Sequence, residues 1–403
     1  MNVLYVCREY PPSQRAGGIG SYCKEIAYGM LQRGHNITVL AASDDTRIES
    51  DRIEDGIRVI RLSGGDFWVK SAEPGISILK LRSLYRFHSY RRKIRKVVKA
   101  LSDIDVIEVA DFGAEGLYLN DLNIPVITRL HTPSLLDITT LSLKKINLQN
   151  TLIMKAELEV YQNAAYISSC SNSLICWISN NVDIAPRLFR VILNPVSLPD
   201  ISLLNYPHSK SNSTKYIFYA GTLVDTKGVG DLVEACKIIM KNHHFNIELL
   251  MAGKEGSYAQ QLKESLSEEQ KKYIKFLGKK KREELFYYYN NADVCCFPSW
   301  WENMPMVCLE AMMCKGLVIG STSGGMNEII EDGVNGYLVP RKSPVQLAEC
   351  IENALSLKEE DANRIKQNAK CTIEEKFETS VISKQMEDFY NDVIEDFKIK
   401  GNI

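Results

Sequence analysis

Nowhere in the 403 residues is there a run of about 18 apolar side chains, so no segment is expected to span a membrane. The opening MNVLYVC lacks the basic start, long apolar run and small-residue cleavage site of a secretory signal. Net charge is nearly absent too. Forty-nine Lys and Arg against 50 Asp and Glu leave −1, which gives no global field for nucleic acid and confines any basic surface to a local patch. The 11 cysteines are odd in number and lack zinc-type spacing; the adjacent Cys295 and Cys296 read as reduced core thiols, which suits a cytoplasmic chain. No fixed-period repeat or low-complexity tract occurs.

What is present is an alternation of short apolar runs with longer stretches of helical period, the pattern of βα units and parallel sheets. VLYVC (3 to 7) and ITVLAA (37 to 42) read as buried strands. Between them Ile19, Tyr22, Cys23, Ile26, Ala27, Met30 and Leu31 keep a helical rhythm that Gly34 stops. Further strands are expected at 106 to 110, 126 to 131 and 166 to 171. After a polar Ser- and Asn-rich stretch (205 to 215) a second series begins at 216 and runs through 247, 274, 293 and 317 to 336. The expected organisation is an α/β chain of two domains, 1–200 and 201–378, with a helix at 379–403 returning to the first. Ligand loops are expected at the carboxyl ends of the strands, in a cleft between the halves.

Three strand-to-helix loops carry chemistry. In FPSWWENMPMVCLEAM, Pro305 stands where a helix begins, so its amino-terminal N–H groups suit a phosphate. Glu302 precedes that helix and Glu310 lies inside it, so the two carboxylates reach different parts of one ligand, and ionised carboxylates accept from vicinal sugar hydroxyls. Spacing alone fits equally a surface glutamate and a helix glutamate with no ligand. In AGTLVDTKG, Lys227 at a loop tip suits a diphosphate, although a lone loop lysine is more often solvated. In STSGGMNEII, Gly324 and Gly325 either let a backbone approach a ligand or make a plain tight turn.

Taken together with EYPPSQRAGGIGSYCKEI, VIEVADFGAEGL, RLHTPS and MAGKEG, these motifs resemble the retaining family 4 glycosyltransferases of GT-B fold, two Rossmann-like domains facing a cleft, and the resemblance covers most of the chain. It implies transfer of a sugar from a nucleoside-diphosphate sugar to an acceptor hydroxyl, on a glycan or a lipid-linked acceptor, in polysaccharide, lipopolysaccharide or glycolipid assembly. It implies that Glu302 holds donor-sugar hydroxyls, that Glu310 grips the ribose, and that Asn303, Met304, Met306 and Val307 lie against sugar and diphosphate. Lys227 matches the diphosphate lysine, His131 a histidine beside the reacting centre, and Gly17 and Gly18 a glycine loop that closes over the diphosphate. One position departs: the family's arginine five residues before the lysine is Thr222 here. No cofactor and no essential metal are expected.

A sugar-nucleotide 2-epimerase and a catalytically silent sugar-nucleotide-binding protein share the implied architecture and stand as alternatives. GGIGSYC does not make a dehydrogenase fingerprint, because about ten residues separate it from the strand and Cys23 replaces the third glycine. Asp103 and Asp105 precede a strand and read as a turn, not a metal motif. Residues 80–99 carry nine Lys or Arg and no acid, interleaved with Tyr85, Phe87 and Tyr90. This stretch is either a solvated basic helix or a peripheral contact with anionic lipid at the inner membrane face.

Overall fold

The Val-, Ile- and Leu-rich runs are apolar at successive positions, as strands covered on both faces must be. In the computed structural model, which describes residues 1–45, 48–65, 77–136, 148–197, 214–242 and 244–401, they form two sheets. The chain divides into two units, Met1–Pro195 with Thr379–Ile403, and Val196–Glu378.

The first unit holds an eight-stranded sheet of β1 (Asn2–Val6), β2 (Asn36–Ala42), β3 (Ser50–Glu54), β4 (Ile57–Leu62), β5 (Val106–Ala110), β6 (Val126–Leu130), β7 (Tyr166–Ser169) and β8 (Leu188–Val191). Its order is β3-β4-β2-β1-β5-β6-β7-β8, parallel except for the β3–β4 pair. One face packs Tyr5, Val39 and Ile127 against the helix Gly18–Gln32 and the terminal helix Thr379–Gly401. The other packs Leu4, Leu40 and Val109 against Tyr90, Ile94 and Val98 of the helix Ser77–Ala100.

The second unit holds a six-stranded parallel sheet of β9 (Lys215–Ala220), β10 (Ile247–Ala252), β11 (Ile274–Gly278), β12 (Val294–Phe297), β13 (Val318–Ser321) and β14 (Tyr337–Val339). The order is β11-β10-β9-β12-β13-β14. Both units are thus α/β with parallel sheets, the two-domain GT-B architecture.

The terminal helix returns to the first unit. A Cβ on Gly29 would lie 2.7 Å from Thr379 Cγ2 and 2.9 Å from Ser383 Cβ, so that glycine is what lets the two helices meet. Tyr390 donates to buried Glu108 of β5 at 2.8 Å, and Arg190 pairs with Asp392 at 2.7 Å.

The structure differs from the expectations in four places. The division falls at 195/196 instead of 200/201, because Val196 N already donates to Phe377 O at 2.8 Å; most of the polar stretch 205–215 lies outside the described residues. Strands β3, β4 and β8 were not expected. The helix expected to begin at Pro305 runs Met306–Met313, with Pro305 as its N-cap.

The basic stretch is the fourth. Phe87 and Tyr90 are core residues, not lipid anchors, and only Tyr85 of the three aromatics is exposed. Arg91 is wholly buried, its guanidinium 3.4 Å from the Phe87 ring centroid and donating to the Ala114 carbonyl at 3.0 Å. Arg95 pairs with Asp121, and Lys93 with Glu49. The side chains of 80–83 lie outside the described residues. Among the described residues no helix is long and apolar enough to cross a membrane.

Candidate functional site

Strand order locates the site before any side chain is considered. In the second sheet β9, β10 and β11 step one way and β12, β13 and β14 the other, so the direction of winding reverses between β9 and β12. At such a reversal the loops leaving two neighbouring strands diverge and open a crevice at their carboxyl ends. The loops leaving β9 and β12 are the ones that carry Lys227 and Glu302.

These two side chains meet as an ion pair, Lys227 Nζ to Glu302 Oε1 at 2.6 Å, with the lysine partly exposed. Ser299 Oγ donates to the same carboxylate oxygen at 2.9 Å. The loops are fixed by backbone contacts. Trp300 N donates to Thr226 O at 2.8 Å, and Gly228, at φ +67°, lies so near the Pro298 carbonyl that any Cβ would collide with it. Gly324, at φ +58°, lies against the Glu302 carbonyl in the same way, and Gly325 N donates to that carbonyl at 2.8 Å. The hydroxyls of Ser321 and Ser323 both donate to Ser299 O. The glycine pair is therefore a seat for the backbone that carries Glu302.

Asn303, Met304 and Met306 are buried and Val307 half-buried at the start of the helix Met306–Met313. Asn303 Oδ1 accepts from Trp301 Nε1 at 2.7 Å. Glu310, one turn further on, is 5% exposed and holds Arg282 Nε at 2.8 Å. That arginine belongs to KKKREEL, and no spacing in the sequence joins it to Glu310. Thr222 is exposed, and its carbonyl accepts from Tyr219 Oη at 3.1 Å and Val224 N at 3.0 Å.

Gly17, Gly18 and His131 stand on the first unit, whose sheet reverses between β1 and β5. Gly17 caps the helix Gly18–Gln32, and a Cβ on Gly18 would meet no protein atom within 4 Å. Gly20, which spacing did not single out, is the tight one, since a Cβ there would strike the Glu9 carbonyl.

His131 follows β6, buried, with its ring edge-on to Tyr22 at 4.8 Å and its backbone N donating to Asp111 Oδ1 at 2.9 Å. Burial, reinforced by the Arg129 charge, holds its pKa well below the ordinary histidine value, so the imidazole is neutral at physiological pH. Around it are carboxyls that sequence reasoning missed. Burial pushes Asp111 up to about 6 and Glu157 up to about 8. Glu157 accepts from Gly113 N at 2.7 Å and Ser134 N at 2.9 Å, tying the loop after β5 to the loop after β6.

The family described as Glycosyltransferase Family 4 matches residues 16–199, and Glycosyl transferases group 1 matches 205–372. The chain belongs to glycosyltransferase family 4. It is 26% identical over 411 residues to an uncharacterized glycosyltransferase of Methanocaldococcus jannaschii, covering 98% of this chain and 99% of that one.

Among solved structures this glycosyltransferase is similar to a sucrose-phosphate synthase from Thermosynechococcus elongatus, with TM-score 0.79, 19% identity and 98% and 99% of the two chains covered. It is also similar to an Anabaena protein crystallised in complex with UDP-glucose, with TM-score 0.68, 18% identity and 97% and 100% covered. The families matched do not favour the epimerase alternative.

Proposed function

We propose that this glycosyltransferase moves a sugar from a nucleoside-diphosphate sugar to an acceptor hydroxyl with retention of anomeric configuration, and that the donor sits on the second unit. The observation that carries the reading is the Lys227–Glu302 pair at the reversal between β9 and β12, seated on Gly324 and Gly325. The complex of the similar Anabaena fold with UDP-glucose supports the donor class.

In the structure Lys227 and Glu302 neutralise each other. An entering donor exchanges that pair for two others. Lys227 turns to the diphosphate, and Glu302 accepts from sugar hydroxyls. Glu310 takes the ribose, with Arg282 moving aside. As the bond from the anomeric carbon to the diphosphate oxygen breaks, Lys227 and the first N–H groups of the helix Met306–Met313 stabilise the charge left on the diphosphate. The acceptor oxygen forms its bond on the same face, and its proton passes to the departing diphosphate. Neutral His131 acts here as a hydrogen-bonding group beside the sugar. No side chain is assigned as a covalent nucleophile and no metal is assigned to the step.

The acceptor is proposed to be a glycan or lipid-linked hydroxyl. Among the described side chains of residues 80–99, contact with anionic lipid would rest on the exposed Tyr85, Arg86, Arg92, Lys96 and Lys99.

The test is transfer from UDP- and GDP-sugars to a panel of glycans and glycolipids, with the product anomer read by NMR. Retention with a loss of at least about 100-fold in Glu302→Gln is expected. An inverted product, or a Glu302→Gln rate within a fewfold of wild type, overturns the reading.

A further inference from the structure

The donor site, as described, holds one cation for a diphosphate, and that cation is already on Glu302. Three other cations on loops of the second unit are engaged. Arg282 is held by Glu310 at 2.8 Å, Arg341 donates to Trp300 O at 3.2 Å, and Lys342 lies 4.0 Å from the Trp300 ring centroid. At the position where the resemblance places a second cation the chain has Thr222.

The strand next to it offers one. β9 and β10 are parallel neighbours with Ala220 opposite Ala252. Their pairing does not stop where the strands end: Gly221 N donates to Ala252 O and Leu223 N to Lys254 O, both at 3.0 Å. The two backbones run so close that a Cβ on Gly253, at φ +158°, would collide with the Gly221 carbonyl. Carrying the register two residues past Ala220 and Ala252 sets Thr222 opposite Lys254. Paired positions of neighbouring strands lie about 4.8 Å apart and send their side chains to the same side of the sheet. A lysine on a flexible four-carbon stem therefore reaches the space that a longer side chain at 222 would fill. Lys254 is exposed, and its ammonium has no hydrogen bond or ion pair among the described residues.

We propose that Lys254 supplies the second positive charge of the diphosphate site, from the loop after β10 instead of the loop after β9. This rests on the donor reading given above. In that arrangement Thr222 is the small neighbour that leaves room for the lysine, and the departure at 222 is compensated within the same sheet. Lys254 is a donor-binding residue that contacts the phosphate oxygens and takes no part in proton transfer.

The experiment is calorimetric titration of the full chain with UDP and GDP, each beside its nucleoside, for wild type, Lys227→Ala, Lys254→Ala and Lys254→Ala with Thr222→Arg. Loss of a charge-assisted contact to phosphate weakens binding by about tenfold. Lys254→Ala is expected to lose about tenfold for the diphosphate and nothing for the nucleoside, with a steeper loss at low salt and an unchanged melting temperature. Adding Thr222→Arg is expected to restore most of it.

If Lys227→Ala weakens diphosphate binding while Lys254→Ala matches wild type, the assignment of Lys254 is wrong and the donor site stands. Equal losses for diphosphate and nucleoside in Lys254→Ala also overturn it, because the effect is then on the fold of the loop. If neither lysine variant changes diphosphate binding, the donor reading itself fails.

Discussion

The strand ends of the two units use charge in opposite ways. In the first unit several ionisable groups are buried and held by backbone groups or tyrosine hydroxyls. Asp111 and Glu157 accept from the N–H groups of the loops after β5 and β6, Arg91 donates to carbonyls, and Glu108 is held by Tyr22 and Tyr390. In the second unit two cations of the site are partly exposed and each is held by a carboxylate, Lys227 by Glu302 and Arg282 by buried Glu310. Buried acids tied to backbone amides make a fixed platform, because moving them exposes unsatisfied donors. Pairs whose cation faces solvent can be exchanged for a charged ligand. On the proposed reading, the first unit holds geometry and the second binds charge.

The largest effect is expected where the binding unit depends on one small residue. Gly324→Ala forces a Cβ into the Glu302 carbonyl at a left-handed φ, so transfer falls by at least about 100-fold while far-ultraviolet circular dichroism is unchanged. Gly18→Ala meets no protein atom. Any loss measured there is a contact with ligand and not with the fold, and a loss as large as that of Gly324→Ala would break the division of roles.

Next in size is Glu310→Gln. It is expected to raise the donor KM about tenfold with kcat changed less than threefold, because a ribose contact binds ground and transition states alike. A fall in kcat without a change in KM would move Glu310 from binding to chemistry.

On the platform side, the pH dependence has a definite sign. Glu157 has a folded-state pKa of about 8, raised from the ordinary carboxyl value, so the folded state holds the proton more tightly than the unfolded one. Its contribution therefore favours folding at low pH and is lost as pH rises from about 4.5 to about 8. Glu157→Gln should flatten the fall of melting temperature across that range. Parallel melting curves for variant and wild type would show that Glu157 is ionised throughout.

The smallest effect is expected for Tyr390→Phe, which removes one hydrogen bond to Glu108 and costs about 1 to 2 kcal/mol in chemical denaturation with donor affinity unchanged.

The parts of this fold legible in the sequence were those in which successive apolar residues force burial. The core strands from Val106 to Ala110 and from Ile274 to Gly278 were expected at their observed limits. The β3–β4 hairpin was missed although Asp55-Gly56 marks it, both residues at positive φ, because SDRIE is too exposed to read as a strand. The basic helix was misjudged for the converse reason. Phe87, Tyr90, Ile94 and Val98 keep the helical period of a core face, but the surrounding lysines and arginines drew the reading toward a surface.

Lys227, Glu302 and Glu310 could be named from the sequence because each lies in a short loop-to-helix motif. Arg282, Asp111 and Glu157 could not, since their partners lie 20 or more residues away and only the folded chain brings them together. His131 could be named from its motif, but its neutrality could not be read there, because that depends on burial beside Arg129.

The most direct test of the binding role of the second unit uses its own reporters. Trp300 and Trp301 precede Glu302, with Trp300 N on the Thr226 carbonyl next to Lys227. Titrating the full chain with UDP and with GDP should change tryptophan fluorescence saturably for one of them, and Lys227→Ala should shift that midpoint upward about tenfold or more. The same midpoint in wild type and Lys227→Ala, or no change with either nucleotide, would contradict a diphosphate site between β9 and β12.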